Sequence, residues 1–478
     1  MIHVAYVAAE VAPFSKTGGL ADVAGSLPQA LNTLENVRVC VFTPLHSSIA
    51  ATYREKMDFL GSTAVHLGWR EQYVGIFRYM EGDTEIFFLD NEYYFKRPLL
   101  FGESDDGERY AYFSKAVLAA IKHLLLPIDV LHCNDWHSAA IAPLVDFYKR
   151  HDEFYRRMRV VYTIHNLRYQ GVFRADFLTE ILNLPEEYRT DDRLKFYDNI
   201  NLMKGGIVFG DRVTTVSPSY ALEITYPFFG EGLDGLIREH RHKVFGILNG
   251  IDVMDFNPMT DPRLAHPYCA TRLSGKMDNK RALQESLNFT FRSETPVISM
   301  VTRLADMKGL DLVQSVFPQI LELGVQFIRL GTGEERYHQF FREQEARYPN
   351  QVRALLTFDE AMARKIYAGS DLFLMPSLFE PCGLGQMIAH RYGTLPLVRE
   401  VGGLRDSVRP YNQYTREGDG FRFANYNAHD MLHVLTYAVR IYREQPENWK
   451  HIVRQAMSCN HSWKRSAGAY YDLYRSLQ

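Results

Sequence analysis

Four segments combine charge, glycine and hydrogen-bonding side chains in a way that suits a phosphorylated sugar. Lys16-Thr17-Gly18-Gly19-Leu20-Ala21-Asp22-Val23 leads into a helical pattern running towards Leu31. Glycine lets backbone approach a ligand closely. Free N–H groups at a helix start favour phosphate, and Lys16 adds a point charge. A glycine turn beside a solvated lysine fits these residues equally well. Arg303-Leu304-Ala305-Asp306-Met307-Lys308-Gly309 directly follows an apolar run, so Arg303 and Lys308 are placed to hold a diphosphate, Arg by paired hydrogen bonds and Lys by charge. The alternative is a surface basic pair at a helix start.

In Phe379-Glu380-Pro381-Cys382-Gly383-Leu384-Gly385-Gln386, Pro381 fixes the chain and Gly383 and Gly385 free it. The N–H groups of Gly383, Leu384 and Gly385 then suit an anion, with Glu380 at its mouth to accept from sugar hydroxyls. A plain loop with a helix-capping Glu is the competing reading. Cys382 has no histidine nearby in sequence to activate it, so its thiol is expected to pack. The last pattern pairs Asp135-Trp136-His137 with His165-Asn166, both just past apolar runs. Either histidine alone reads as a structural residue, but two polar clusters at adjacent strand ends suggest a sugar site. His132, Asp135, His137 and His165 match no zinc spacing, and no metal is expected there.

These segments need strands to carry them. Ile2–Ala9, Val37–Thr43, Glu85–Asp90, Ile128–His132, Arg159–Ile164, Arg212–Val216 and Val244–Leu248 are short runs rich in Val, Ile, Leu, Phe and Tyr. Such runs predict strands buried on both faces of a parallel sheet. Pro296–Val301, Val325–Leu330, Asp371–Met375 and Leu395–Val398 repeat the scheme, with helical stretches such as Glu334–Tyr348 and Asp359–Gly369 between. Alternating units of this kind predict an α/β, doubly wound fold. A chain of 478 residues is too long for one such sheet. Two domains are expected, 1–248 and 249–455, with a helix over 456–478 packing back on the first. Ligands of such sheets bind beyond the carboxyl ends of the strands, where all four segments lie.

The remaining composition is that of an ordinary globular protein, 46% hydrophobic and 23% charged. A net charge of −3 gives no broad attraction for nucleic acid or an anionic membrane. No run reaches the ~20 apolar residues of a membrane span. The N-terminal apolar run lacks a preceding basic region and is broken by His3, so it reads as a buried strand and not a signal peptide. Cys40, Cys133, Cys269, Cys382 and Cys459 are scattered and odd in number, which argues against disulfides and zinc and for reduced thiols in the cytoplasm.

Taken together, these motifs resemble the bacterial glycogen synthase and starch synthase family over nearly the whole chain. The likeness rests on KTGGLADV at Lys16–Val23, NDWH at Asn134–His137, HNLRYQG at His165–Gly171, VSPSYA at Val216–Ala221, LNGID at Leu248–Asp252 and NKRALQ at Asn279–Gln284. It continues through RLADMKG at Arg303–Gly309, LGTGEE at Leu330–Glu335, FEPCGLGQ at Phe379–Gln386 and YGTLPLVREVGGLRDSV at Tyr392–Val408. The resemblance implies two Rossmann-like domains facing a central cleft, the GT-B fold. It implies retaining, metal-free transfer of glucose from ADP-glucose to the 4-hydroxyl of an α-1,4-glucan, with no cofactor. Lys16, Arg303 and Lys308 match phosphate-holding positions, and Cys382, Gly383, Leu384 and Gly385 match the loop that cradles the phosphates. Glu380 matches the acidic residue of the catalytic cleft. His165 matches the histidine near the transferred glucose, and Asp135 and Asn166 match other sugar-side positions. Glu10, Gly18, Gly19 and Asp22 belong to the first loop, Asn249 to LNGID, and Phe358 lies where an aromatic often covers the adenine.

Three positions depart from the usual pattern: Gly385 for Thr, Asn or a larger residue, Met307 for Gln, and Asn134 for His. None removes a charge from the expected centre. Another GT-B transferase with a different donor and an inactive glucan-binding protein are the rival readings. A phosphorylase would need a pyridoxal-binding lysine segment, and none is evident.

Overall fold

The computed structural model describes all residues from Met1 to Gln478. The chain forms two units: Met1–Gly250 with Trp463–Gln478, and Ile251–Ser462.

The first unit is built on a nine-stranded sheet. From one edge the strands are Val244–Gly246, Arg212–Thr215, Arg159–Ile164, Val130–Asn134, Ile2–Val7, Val37–Pro44, Thr84–Asp90, Arg70–Glu81 and Asp58–Leu67. The first seven run parallel, and their buried apolar side chains explain the continuous hydrophobic runs. The last two correct the expectation of a purely parallel sheet, because Arg70–Glu81 is antiparallel to both neighbours. Its sequence, REQYVGIFRYME, mixes charged and apolar residues. That suits an antiparallel strand with one wet face and gives no apolar run to detect. Gly68 turns the hairpin with φ +60°, and a Cβ there would lie 2.3 Å from the Glu180 carbonyl oxygen. A small antiparallel sheet of Val172–Arg174, Asn199–Asn201 and Lys195–Phe196 was also not expected from sequence.

The final helix, Trp463–Arg475, buries Trp463, Ala467, Tyr470, Leu473 and Tyr474 in the same core as Val23, Leu27 and Leu31 of the helix Gly19–Asn32. Tyr474 Oη lies 2.6 Å from His132 Nδ1. Residues 456–462 group with the second unit instead, since the helix Pro446–Met457 belongs there and the returning helix starts at Trp463.

The second unit has a wholly parallel six-stranded sheet in the order Val352–Leu355, Gln326–Leu330, Val297–Val301, Leu372–Met375, Leu395–Arg399, Phe421–Phe423. The two edge strands are short, and sequence reading did not assign them. Alternating helices cover this sheet, as in a doubly wound fold.

Candidate active site

In the first unit, two adjacent strand ends build one polar cluster. The strand Val130–Asn134 runs directly into the helix Asp135–Ala139, and Asp135 makes the turn with φ +54°. Its Oδ1 accepts from the backbone N–H of His165 at 2.8 Å and of Asn166 at 3.4 Å. Burial pushes the Asp135 carboxyl up to about 7, with Glu10 adding to the rise and those two N–H groups opposing it.

Asn134 accounts for one departure from the family pattern. Its Nδ2 donates to the Val7 carbonyl (3.0 Å), so its Oδ1 is the acceptor for Tyr6 Oη (3.0 Å) and His165 Nε2 (2.9 Å). His165 therefore carries its proton on Nε2, which makes Nδ1 the acceptor nitrogen. Burial lowers the imidazole to about 3, so it is neutral at working pH. Sequence reading noted Asn134 only as a substitution; its role in orienting His165 comes from the fold. Asn166 uses Oδ1 in a local turn, accepting from Arg168 N at 3.1 Å.

Two other members of this pattern point elsewhere. Trp136 packs against Tyr110 and Phe173, and a Cβ at Gly171 would lie 2.6 Å from its ring. His137 sits between Phe101 and Tyr110, with Nδ1 buried and unpartnered. Trp136 is thus a packing residue here. His132 is held by Thr163 and Tyr474.

The glycine loop lies at the end of Ile2–Val7. Buried Glu10 accepts from Thr17 N (2.5 Å) and Thr17 Oγ1 (2.7 Å), pinning the loop. Burial raises the Glu10 carboxyl, and the Thr17 hydrogen bonds pull the other way. Gly18 is extended (φ −151°), and a Cβ at Gly19 would meet nothing within 4 Å. Neither glycine serves an unusual φ; Gly19 leaves open space beside the backbone, and a Cβ at Gly18 would touch Glu10 Oε1 at 3.6 Å. Lys16 Nζ donates to Asp22 Oδ1 at 2.7 Å. Asn249 is buried with no partner for Oδ1.

In the second unit, the loops after Val297–Val301 and Leu372–Met375 are stitched together. Lys308 Nζ donates to Glu380 Oε2 at 2.6 Å, and Ser377 Oγ donates to the same oxygen at 3.0 Å. Leu378 N donates to Met307 O at 2.9 Å. Buried Met307 thus holds the neighbouring loop through its backbone. Gly309 has φ +68°, and a Cβ there would lie 2.0 Å from the Pro376 oxygen, so only glycine allows this approach. Behind Glu380, Gly403 N donates to its carbonyl at 3.0 Å.

Gly383 is left-handed at φ +72°. Gly385 begins the helix Gly385–Arg391, and a Cβ there would lie 2.9 Å from the Phe373 ring and 3.3 Å from Tyr367 Oη. The missing side chain in this family position is thus matched by two aromatic residues filling its space. Cys382 is buried. Arg303 is exposed, and Phe358 is 81% exposed. The second unit thus brings Lys308, Glu380 and the Gly383 turn together, and leaves Arg303 and Phe358 facing solvent.

Residues 3–239 match the family described as the starch synthase catalytic domain, and residues 284–456 match glycosyl transferases group 1. With two doubly wound units and these strand-end clusters, the molecule is a GT-B glycosyltransferase. The chain is 49% identical to a glycogen synthase of Bacillus cereus and 48% identical to one of Bacillus anthracis, over all of both chains in each case. It superposes with a TM-score of 0.93 and 35% identity on the catalytic domain of Starch Synthase IV from Arabidopsis thaliana bound to ADP and acarbose, covering 100% of this chain and 99% of that one. The chain belongs to the glycogen synthase and starch synthase family and is a hexosyltransferase. No helix is long and apolar enough to cross a membrane.

Proposed function

We propose that this chain transfers glucose from ADP-glucose to the non-reducing 4-hydroxyl of an α-1,4-glucan, with retention and with release of ADP. The supporting observation is similarity, over the whole of this chain, to the catalytic domain of a starch synthase bound to ADP and acarbose. In this reading the donor diphosphate is held by Arg303, Lys308 and the backbone of Gly383, Leu384 and Gly385, with Phe358 against the adenine. Lys16, Gly18, Gly19, Asp22 and Asn249 form the first unit's contribution to donor binding, and His165, Asp135 and Asn166 serve the sugar side.

Positive side chains and backbone donors stabilise the charge that grows on departing ADP, the kind of effect that usually contributes most to such a step. The acceptor hydroxyl attacks from the face that ADP leaves and passes its proton to a leaving phosphate oxygen. His165 is a neutral hydrogen-bonding group, not a cation. Glu380 is assigned electrostatic work through Lys308 and not covalent attack. The reaction uses no metal or cofactor in this proposal, and five free cysteines suit a cytoplasmic enzyme.

The test is glucan-dependent incorporation of radiolabelled glucose, with ADP-glucose and UDP-glucose side by side. Faster transfer from ADP-glucose is expected. Glucan binding without any nucleotide release would instead favour an inactive binding protein.

A further inference from the structure

Three separate stretches of the second unit bring two histidines, a cysteine and an aspartate to one place. His390 lies on the helix Gly385–Arg391, Asp419 just before the strand Phe421–Phe423, and Cys459 and His461 beyond the helix Pro446–Met457. His390 Nδ1 and His461 Nε2 are 2.9 Å apart, and the two rings stack at 5.1 Å with planes 11° apart. One ring nitrogen of each histidine and Cys459 Sγ all lie within 4.8 Å of one another. Asp419 Oδ2 is 3.5 Å from Cys459 Sγ.

The tautomers follow from the neighbours. His390 Nε2 is 3.0 Å from the Asp419 carbonyl oxygen, so it donates there, and Nδ1 turns a lone pair towards His461. A second nitrogen donating to a backbone carbonyl is the arrangement that orients a metal-bound imidazole. Ligand atoms of a tetrahedral zinc site, at about 2.0 Å for nitrogen and 2.3 Å for sulfur, sit about 3.3–3.7 Å from each other. To reach that spacing the nitrogen pair opens from 2.9 Å and the wider separations, up to 4.8 Å, close.

We propose that His390 Nδ1, His461 Nε2 and the Cys459 thiolate bind one Zn²⁺ ion, with solvent at the fourth position. Imidazole with thiolate is a donor set that suits this borderline-soft ion. Binding releases one proton: the Cys459 thiol loses it, and His461 moves its own proton from Nε2 to Nδ1 with no net change. Burial and the Asp419 carboxylate hold the thiol up near 12, and Arg409 works against them, so the metal must displace that proton. Ile251 N donates to His461 O at 2.8 Å and Ile251 pairs with Ser462. The ion would therefore fasten the helix that follows the Gly383 turn to both ends of the unit. No step of the transfer reaction is assigned to it.

The test is titration of the full chain with Zn²⁺ against a chromophoric chelator. One ion per chain at sub-micromolar affinity is expected, weakened about 10–100-fold or more by Cys459→Ser and by His461→Gln. His390 is fully buried, so these two partly exposed positions are the better variants, and their melting curves without metal report folding. Co²⁺ should give a sulfur-to-metal absorption band that Cys459→Ser removes. Wild-type chain that fails to compete with the chelator would overturn the proposal, as would binding that both variants leave unchanged. The readout needs no sugar donor, so it stands apart from the transferase assay.

Discussion

Lys308 Nζ sits 2.6 Å from Glu380 Oε2, joining the loops that follow two neighbouring strands of one sheet. Both side chains are largely buried, 16% and 10% exposed. A buried pair of this kind stabilises little by itself but makes each partner costly to lose. Glu380→Gln retains an acceptor for Lys308 and Ser377, so it should stay folded, with a stability loss of about 1–3 kcal/mol. Its turnover should fall about 10²–10³-fold, as when a charge-stabilising group is removed. Calorimetry and steady-state kinetics check the two halves separately.

Arg303 offers the opposite case. It is exposed, so Arg303→Ala should leave the melting temperature unchanged. Losing charge-assisted bonds to a diphosphate should raise the KM for donor about 10–100-fold. Wild-type donor kinetics in this variant would remove Arg303 from the site.

Asp135 predicts a pH effect on stability. Its folded carboxyl stands at about 7 against an ordinary 3.8. Between those values the native state binds the extra proton, so stability falls as pH rises from about 4 to about 7. Its contribution is fully present below the lower value and gone above the upper. Asp135→Asn keeps an acceptor for the two N–H groups but cannot titrate. Thermal melts across this range should show a shallower decline in the variant; an unchanged slope would refute the shift.

His165 should remain neutral throughout the active range, because burial holds it near 3. Nitrogen NMR of labelled protein should show the Nε2–H tautomer at pH 6 to 8. Asn134→Ala, which removes the acceptor 2.9 Å away, should disturb that tautomer. A protonated imidazole near pH 6 would contradict this assignment.

Gly385 gives a packing prediction. Gly385→Thr places a Cβ 2.9 Å from Phe373 and should cost about 1–3 kcal/mol. Pairing it with Phe373→Leu should recover part of the loss, seen as non-additivity in a double-mutant cycle.

Much of the architecture was written in the order of residues. Buried parallel strands such as Leu372–Met375 and Val297–Val301 are almost wholly apolar, so sequence alone marks them. The charged and glycine-rich segments after them were equally visible. The antiparallel strand Arg70–Glu81, next to the sheet edge, was not, because one face of it needs no apolar side chains. Nor could sequence show that Asn134 sets the His165 tautomer, that Lys308 is paired with Glu380, or that Phe373 fills the space beside Gly385. The strongest case is Cys459 beside His390, 69 residues apart in a chain whose cysteine spacing argued against zinc. Local residue types determine which segments become strands and which ends carry polar groups. Which polar groups meet is decided by strand order and helix packing, and these arise from contacts between residues far apart in the chain.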